Sequence, residues 1–218
     1  MSNWAVLFDW DGVVIDSSAL HEKSWEITAE QYSLVLPNGH FKQGFGKRNE
    51  TIIPEILKWS QDLAMIRELA DYKESTYREL LSLEKISPLA GVRDFLNWLA
   101  QEDVVCVIAS STPKKNLLAA LPILGLEGYF KGMISGDDVI NGKPDPEPFI
   151  KAAKLANLDP SQCLVLEDSH SGVKAGVAAG CKVIAVGTTH PLETFEDVQG
   201  RVADLTLLDY ENIKSWFH

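Results

Sequence analysis

Cysteine is scarce in this 218-residue chain, with Cys106, Cys163 and Cys181 its only three. They are widely spaced and odd in number, and each lies in a short apolar run (VVCVIA, QCLVLE, GCKVIAV), where buried free thiols are found. A reducing compartment is expected. Long hydrophobic stretches are missing too: no run approaches the roughly 18 apolar residues of a membrane-spanning helix. The N-terminal MSNWAVLFDWDG has no basic segment and meets a carboxylate at Asp9, so it does not read as a secretory leader. These absences predict a cytoplasmic protein with no membrane partner. Basic residues are outnumbered, 20 Lys and Arg against 31 Asp and Glu, for a net charge of −11. Such a field repels a phosphate backbone, which excludes general nucleic-acid binding. Internal repeats and low-complexity segments are lacking as well.

The remaining composition, 45% hydrophobic and 23% charged, is that of a globular chain. At this length about 70% of the unfolded surface is buried on folding, in one large domain or one domain carrying an insertion. Apolar β-rich runs at Ala5 to Phe8, Val104 to Ala109, Gly132 to Ser135, Leu164 to Leu166, Val183 to Val186 and Leu205 to Leu208 read as buried parallel strands. Helix-like stretches alternate with them. Thr112-Pro113, Asp145-Pro146-Glu147 and Ser171 stand where N-caps are expected. The alternation predicts an α/β fold with a Rossmann-like parallel sheet and a ligand site outside the carboxyl ends of its strands. Residues 16–87 break the pattern. SSALHEKSWEITAEQY, NETIIPEILKW and DLAMIRELADYKESTYRELLSLEK read as helices, the first two joined by the glycine-containing loop LPNGHFKQGFGKR. The expected organisation is therefore a core of residues 1–15 and 88–218 with an inserted helical module, 16–87, whose apolar Ile52, Ile53, Ile56 and Leu57 form its own core.

Four strand or loop ends carry chemistry. In FDWDGVVIDS, Asp9 and Asp11 straddle the end of the first strand and Gly12 permits a tight turn. Like charges at that spacing must be offset by a cation or a proton. The glycine and distal acid fall at the wrong offsets for an EF-hand. Ser110, in VIASST, lies between a strand and a helix N-terminus suited to an anion. Lys143 precedes a helix in NGKPDPEPF. A P-loop is excluded, because Gly136 is one residue too far from Gly142 and Pro144 replaces the required hydroxyl residue. Glu167 and Asp168 close the apolar run of CLVLEDSHSG, where two acids are hard to explain as folding devices.

Taken in order, FDWDGVVIDS, the serine of VIASST, the lysine of GKPDP and the acids of LEDSHSGVKAG resemble the four successive motifs of the haloacid dehalogenase superfamily. The helical module resembles the small α-helical cap of its β-phosphoglucomutase and phosphatase subgroup. The resemblance implies Asp9 as a nucleophile that takes the phosphoryl group, and Asp11 as the acid that protonates the leaving oxygen and later deprotonates water. It implies Mg²⁺ held by the Asp9 carboxylate, the Asp11 backbone carbonyl and Asp168, with Glu167 assisting directly or through water. Ser110 would hydrogen-bond the transferring phosphoryl group and Lys143 would neutralise it. Gly12, Ser111, His21, Lys47 and Arg48 complete the implied substrate-binding set, with Lys42 making the loop before them basic.

The function so implied is a Mg²⁺-dependent phosphatase of a small phosphorylated metabolite, a sugar phosphate foremost. The alternative is a β-phosphoglucomutase, disfavoured because Phe45 and Asn49 stand where a mutase is expected to carry basic anchors. A 2-haloacid dehalogenase is disfavoured by Asp11, a second acid those enzymes lack. The helical module is expected to close over substrate about hinges near Asp16 and Ser87. Oligomeric state is left open, a monomer included.

Overall fold

The computed structural model describes residues 2–44 and 46–217. The chain runs β1 (Ala5–Phe8), α1 (Ser18–Gln31), α2 (His40–Gly44) and α3 (Asn49–Thr51), which passes directly into a wide π-helical turn over Ile52–Leu57. There follow α4 (Leu63–Leu83), α5 (Val92–Gln101), β2 (Val105–Ala109), α6 (Lys114–Leu124), β3 (Gly132–Ile134) and α7 (Glu147–Ala156). The last elements are β4 (Cys163–Glu167), α8 (His170–Ala178), β5 (Lys182–Val186), β6 (Gly200–Val202) and α9 (Tyr210–Ser215).

The six strands form one parallel sheet in the order β3-β2-β1-β4-β5-β6. β1 is central, with Ala5 opposite Val105 on one side and Cys163 on the other. Because strand side chains alternate, the sheet packs two cores. Val6, Phe8, Leu164 and Leu166 face α5, α6 and α9 through Phe95, Leu96, Leu117, Leu121 and Ile213. Ala5, Leu7, Val107 and Val165 face α7 and α8 through Phe149, Ala152, Ala153 and Val173. The carboxyl ends of β1, β2 and β4 therefore lie side by side, and the chain leaves them as Asp9, Ser110 and Asp168.

Between β1 and β2 the chain is helical. Trp25, Ile52, Ile53, Leu57, Ile66 and Leu69 bury one another in a third cluster, with Ile56 packed against it. Leu20, Tyr77 and Leu81 instead join the α5 and α6 face of the sheet, so α1 and α4 each touch both cores. No helix among the described residues is long and apolar enough to cross a membrane.

Several sequence expectations need correction. Leu205 to Leu208 is not a strand: Asp204 accepts hydrogen bonds from the amide and hydroxyl of Thr206, capping a 3₁₀ turn over Leu205–Leu207. The edge strand is GRV, Gly200–Val202, too short and polar to read as a buried run. Thr112 does not cap α6, because its hydroxyl is donated to Asp11. Ser169, not Ser171, caps α8, accepting from the Gly172 amide. Asp145 does behave as expected and accepts from the Glu147 amide. The helix over NETIIPEILKW widens into the π turn around Pro54, which has no N–H to donate, and closes with Lys58 at φ 56°.

Candidate active site

Asp9 continues the β1 ladder by donating its amide to the Leu166 carbonyl, 3.0 Å away, which brings it level with the end of β4. There Lys143 Nζ lies 2.5 Å from Asp9 Oδ1 and 2.5 Å from Glu167 Oε1, over the ring of Phe149. The other Glu167 oxygen accepts from the amide and hydroxyl of Ser169. Asp168 Oδ2 accepts from the Thr189 hydroxyl. Carboxylate oxygens of Asp9, Glu167 and Asp168 all lie within 4.8 Å of one another, and all three residues are buried.

Three carboxylates thus share one ammonium, and their titration reflects the deficit. Burial, with Glu167 and Asp168 adding to it against the pull of Lys143, raises the Asp9 carboxyl well above its ordinary range. Burial and the Glu167 charge push Asp168 up to about 7. Burial acts against the Lys143 ammonium, but Asp9 and Glu167 outweigh it and hold the group above its usual value.

Two glycines make this packing possible. Gly12 has φ 82°, and a Cβ there would stand 1.9 Å from Asp168 Oδ2. A Cβ at Gly172 would stand 1.7 Å from Glu167 Oε1, so the first turn of α8 touches that carboxylate only as glycine.

Asp11 contributes no carboxylate oxygen to this group. It accepts hydroxyl hydrogen bonds from Ser17 at Oδ1 and Thr112 at Oδ2, and His21 Nε2 lies 3.6 Å from Oδ1. Burial pushes its carboxyl up, but the contact with His21 and the two hydroxyls more than offset that and hold it at about 2. His21 stacks on Tyr77 with ring centroids 4.1 Å apart, and Lys73 Nζ lies 2.7 Å from its Nδ1.

Ser110 is buried, donates its amide to Ile134 and accepts at Oγ from the Thr112 amide. Its hydroxyl proton has no acceptor among the described residues. A cavity opens between this loop and the helices, lined by Asp11, His21, Trp25, Lys47, Arg48 and Ser111 among others. Arg48 reaches toward the loop that carries Lys143, with Nη1 3.5 Å from the Ile140 carbonyl and Nε 3.6 Å from Glu50.

Asp9, Lys143, Glu167 and Asp168 therefore form one cluster, and His21, Lys47, Arg48 and Ser111 line a neighbouring cavity that Asp11 also faces. The Gly12 carbonyl is held by the Thr188 hydroxyl. Asn49 lines the cavity but gives its amide to Glu74, and Phe45 lies outside the described residues. Sequence reading missed Ser17, Thr112, Lys73, Glu74, Asn116 and Thr189. For Lys73 a signal existed: it falls in the helical stripe Ile66, Leu69, Lys73, Tyr77, Leu81, every other member of which is apolar or aromatic.

Comparison with known proteins bears on this geometry. Residues 6–186 match the family model described as haloacid dehalogenase-like hydrolase. A phosphorylated carbohydrates phosphatase of Thermotoga maritima is 34% identical over 192 residues, 86% of each chain. The 5-amino-6-(5-phospho-D-ribitylamino)uracil phosphatase of Arabidopsis thaliana is 30% identical over 95% of this chain, which spans only 57% of that protein. The crystal structure of a β-phosphoglucomutase from Clostridium difficile superposes with a TM-score of 0.87, covering 100% of this chain and 97% of that one, at 23% identity, a likeness of fold.

Proposed function

Since the chain belongs to the haloacid dehalogenase-like hydrolase family, we propose that it cleaves the phosphate from a small phosphorylated sugar through an aspartyl-phosphate on Asp9, with Mg²⁺ as cofactor. The enzyme is a phosphoric monoester hydrolase. The observation that carries the mechanism is Lys143 bridging Asp9 and Glu167 at 2.5 Å each, with Asp168 beside them.

Two unit charges 4 Å apart repel by about 4 kcal/mol at an effective dielectric of 20, so a lone carboxylate does not approach a phosphate dianion. Lys143 holds Asp9 Oδ1 and leaves Oδ2 as the attacking oxygen. The ammonium also meets the charge of the incoming phosphoryl group, and the unspent Ser110 hydroxyl donates to one of its oxygens. The Asp9–phosphorus bond forms as the bond to the leaving oxygen breaks, and that oxygen takes a proton delivered by Asp11. Asp11 then recovers a proton from the water that hydrolyses the aspartyl-phosphate, replacing the one given to the leaving oxygen. Asp9, Glu167 and Asp168 offer a close, oxygen-only donor set whose charge exceeds that of Lys143, which fits a hard cation. Mg²⁺ bound there would supply positive charge to the phosphoryl oxygens.

We assign residues 1–15 and 88–218 to a catalytic core and 16–87 to a helical cap that closes over substrate. Its Lys47 and Arg48 steer the anionic substrate into the cleft. Three free, buried thiols agree with a cytoplasmic setting. The phosphatase reading is favoured over a mutase because Asn49 is spent on Glu74 and offers no cationic anchor for a second phosphate. The test supplies a panel of sugar phosphates with Mg²⁺, then β-glucose 1-phosphate with a trace of glucose 1,6-bisphosphate. Release of free phosphate supports the reading. Glucose 6-phosphate forming much faster than phosphate overturns it in favour of the mutase.

A further inference from the structure

α4 meets α6 across a buried polar contact that the reaction just described does not use. Asn116, on the first turn of α6, is 1% exposed. Its Oδ1 accepts from Arg78 Nη1 at 2.8 Å, and its Nδ2 donates to Glu74 Oε2. Arg78 and Glu74 are four residues apart on α4 and so stand on one helix face, gripping the two ends of a single side-chain amide. Glu74 Oε1 accepts from Lys73 Nζ and from Asn49 Nδ2, each at 2.8 Å. Both ends of the Asn116 amide and both Glu74 oxygens are thus hydrogen-bonded.

Two routes lead from this amide to Asp11. Along the chain, only Pro113 separates α6 from Thr112, whose hydroxyl bonds Asp11. Across the contact, Glu74 holds Lys73, Lys73 holds His21 Nδ1, and His21 Nε2 faces Asp11. The same residues therefore join α4 to the sheet-bearing part of the molecule and set the side chains beside Asp11.

We propose that Asn116 is the docking point at which the helical segment clasps the core, closed by Glu74 and Arg78, and that the closed clasp positions Lys73 and His21 against Asp11. Such a joint suits a two-state contact. When the segment swings away, water replaces each hydrogen bond, whereas an apolar joint of the same size would resist opening. Glu74 and Arg78 act through other side chains and are positioning residues. Their effect on turnover rests on the phosphatase reading. The clasp itself does not.

The test places spin labels on cysteines substituted at Glu79, exposed on α4, and Leu118, 54% exposed on α6. The native cysteines are buried. A short distance should dominate in the labelled wild-type background. Asn116→Ala should shift it to longer distances. Asn116→Asp, nearly the same shape, should separate the labels at least as far, because it sets a second carboxylate against Glu74. Glu74→Gln approaches the clasp from the other side. In kinetics, each single variant should lose about tenfold or more in kcat/KM, and the double variant Glu74→Gln/Asn116→Ala no more than the worse single one. Unchanged label distances across the variants, a wild type without the short distance, or losses that multiply in the double variant would overturn the clasp. Labels that respond as expected, in a protein that hydrolyses no phosphomonoester, would support the clasp and defeat the phosphatase reading instead.

Discussion

Lys143 Nζ is 2.5 Å from Asp9 Oδ1, so the most deeply enclosed acid at the end of β1 meets its cation in direct contact. The same ammonium serves Glu167, which makes Lys143 the only positive charge among the described residues in contact with that acidic cluster. Lys143→Met keeps most of the unbranched apolar stem and removes the charge. Removing one partner of a buried ion pair costs about 3–5 kcal/mol of stability. Losing a positioned positive donor lowers kcat by about 10²–10³-fold. A phosphate-release assay and a thermal melt on the purified variant measure both, and near wild-type turnover would remove Lys143 from the mechanism.

Asp9→Asn is expected to abolish turnover and yet to raise the melting temperature. The Asp9 carboxyl is raised well above its ordinary value by burial and by two neighbouring acids. For an acid so shifted, stability falls as pH rises past the unfolded value, because the folded site disfavours the charge. A neutral amide escapes that penalty at pH 7 and still accepts from Lys143. Hydrolysis near the wild-type rate would exclude Asp9 as nucleophile.

Chelation should silence the enzyme and Mg²⁺ restore it. With no cation bound, Asp168 is pushed up to about 7 by burial and Glu167, so the cation-free protein loses stability as pH rises from about 4 toward 7. Mg²⁺ should therefore raise the melting temperature more at pH 8 than at pH 5. Asp168→Asn should stabilise the chelated protein and flatten its response to Mg²⁺. Full activity in chelator, with metal content measured as absent, would defeat the metal assignment.

Much of this architecture was legible because the strands that place the cluster are buried on both faces. Ala5–Phe8, Val105–Ala109 and residues 163–166 are apolar runs, and the polar residues that end them, Asp9, Ser110 and Glu167, stand out by contrast. Gly200–Val202 lies at an edge, where polar residues serve as well, and the more apolar Leu205 to Leu208 drew the assignment away from it. Buried residues there, Leu205 and Leu208, are three apart, which is the spacing of a 3₁₀ turn and not of a strand. The cap assignments failed for a different reason. Thr112 has the right residue type for an N-cap, but Asp11, 101 positions away, takes its hydroxyl. Asn116 and Glu74 were invisible because each lies in an ordinary polar helix position, and only the meeting of α4 with α6 buries them.

The joint between α4 and α6 also sets a prediction about acid. Burial acts to raise the Glu74 carboxyl, but Lys73, His21 and the Asn49 amide outweigh it and hold the group at about 2, against an ordinary 4.5. A carboxyl lowered on folding contributes stability that is complete above its unfolded value and is lost as pH falls through the folded one. The window is therefore about pH 4.5 down to about 2, and a shift of that size corresponds to roughly 3 kcal/mol. Glu74→Gln should be less stable than wild type at pH 7, and the gap should narrow as the solution is acidified through that window. Urea unfolding of both proteins at pH 7, 4.5 and 3 measures it. A gap that stays constant from pH 7 to 3 would mean that the Glu74 charge contributes nothing to the fold, and that the contact with Asn116 and Lys73 is held by shape alone.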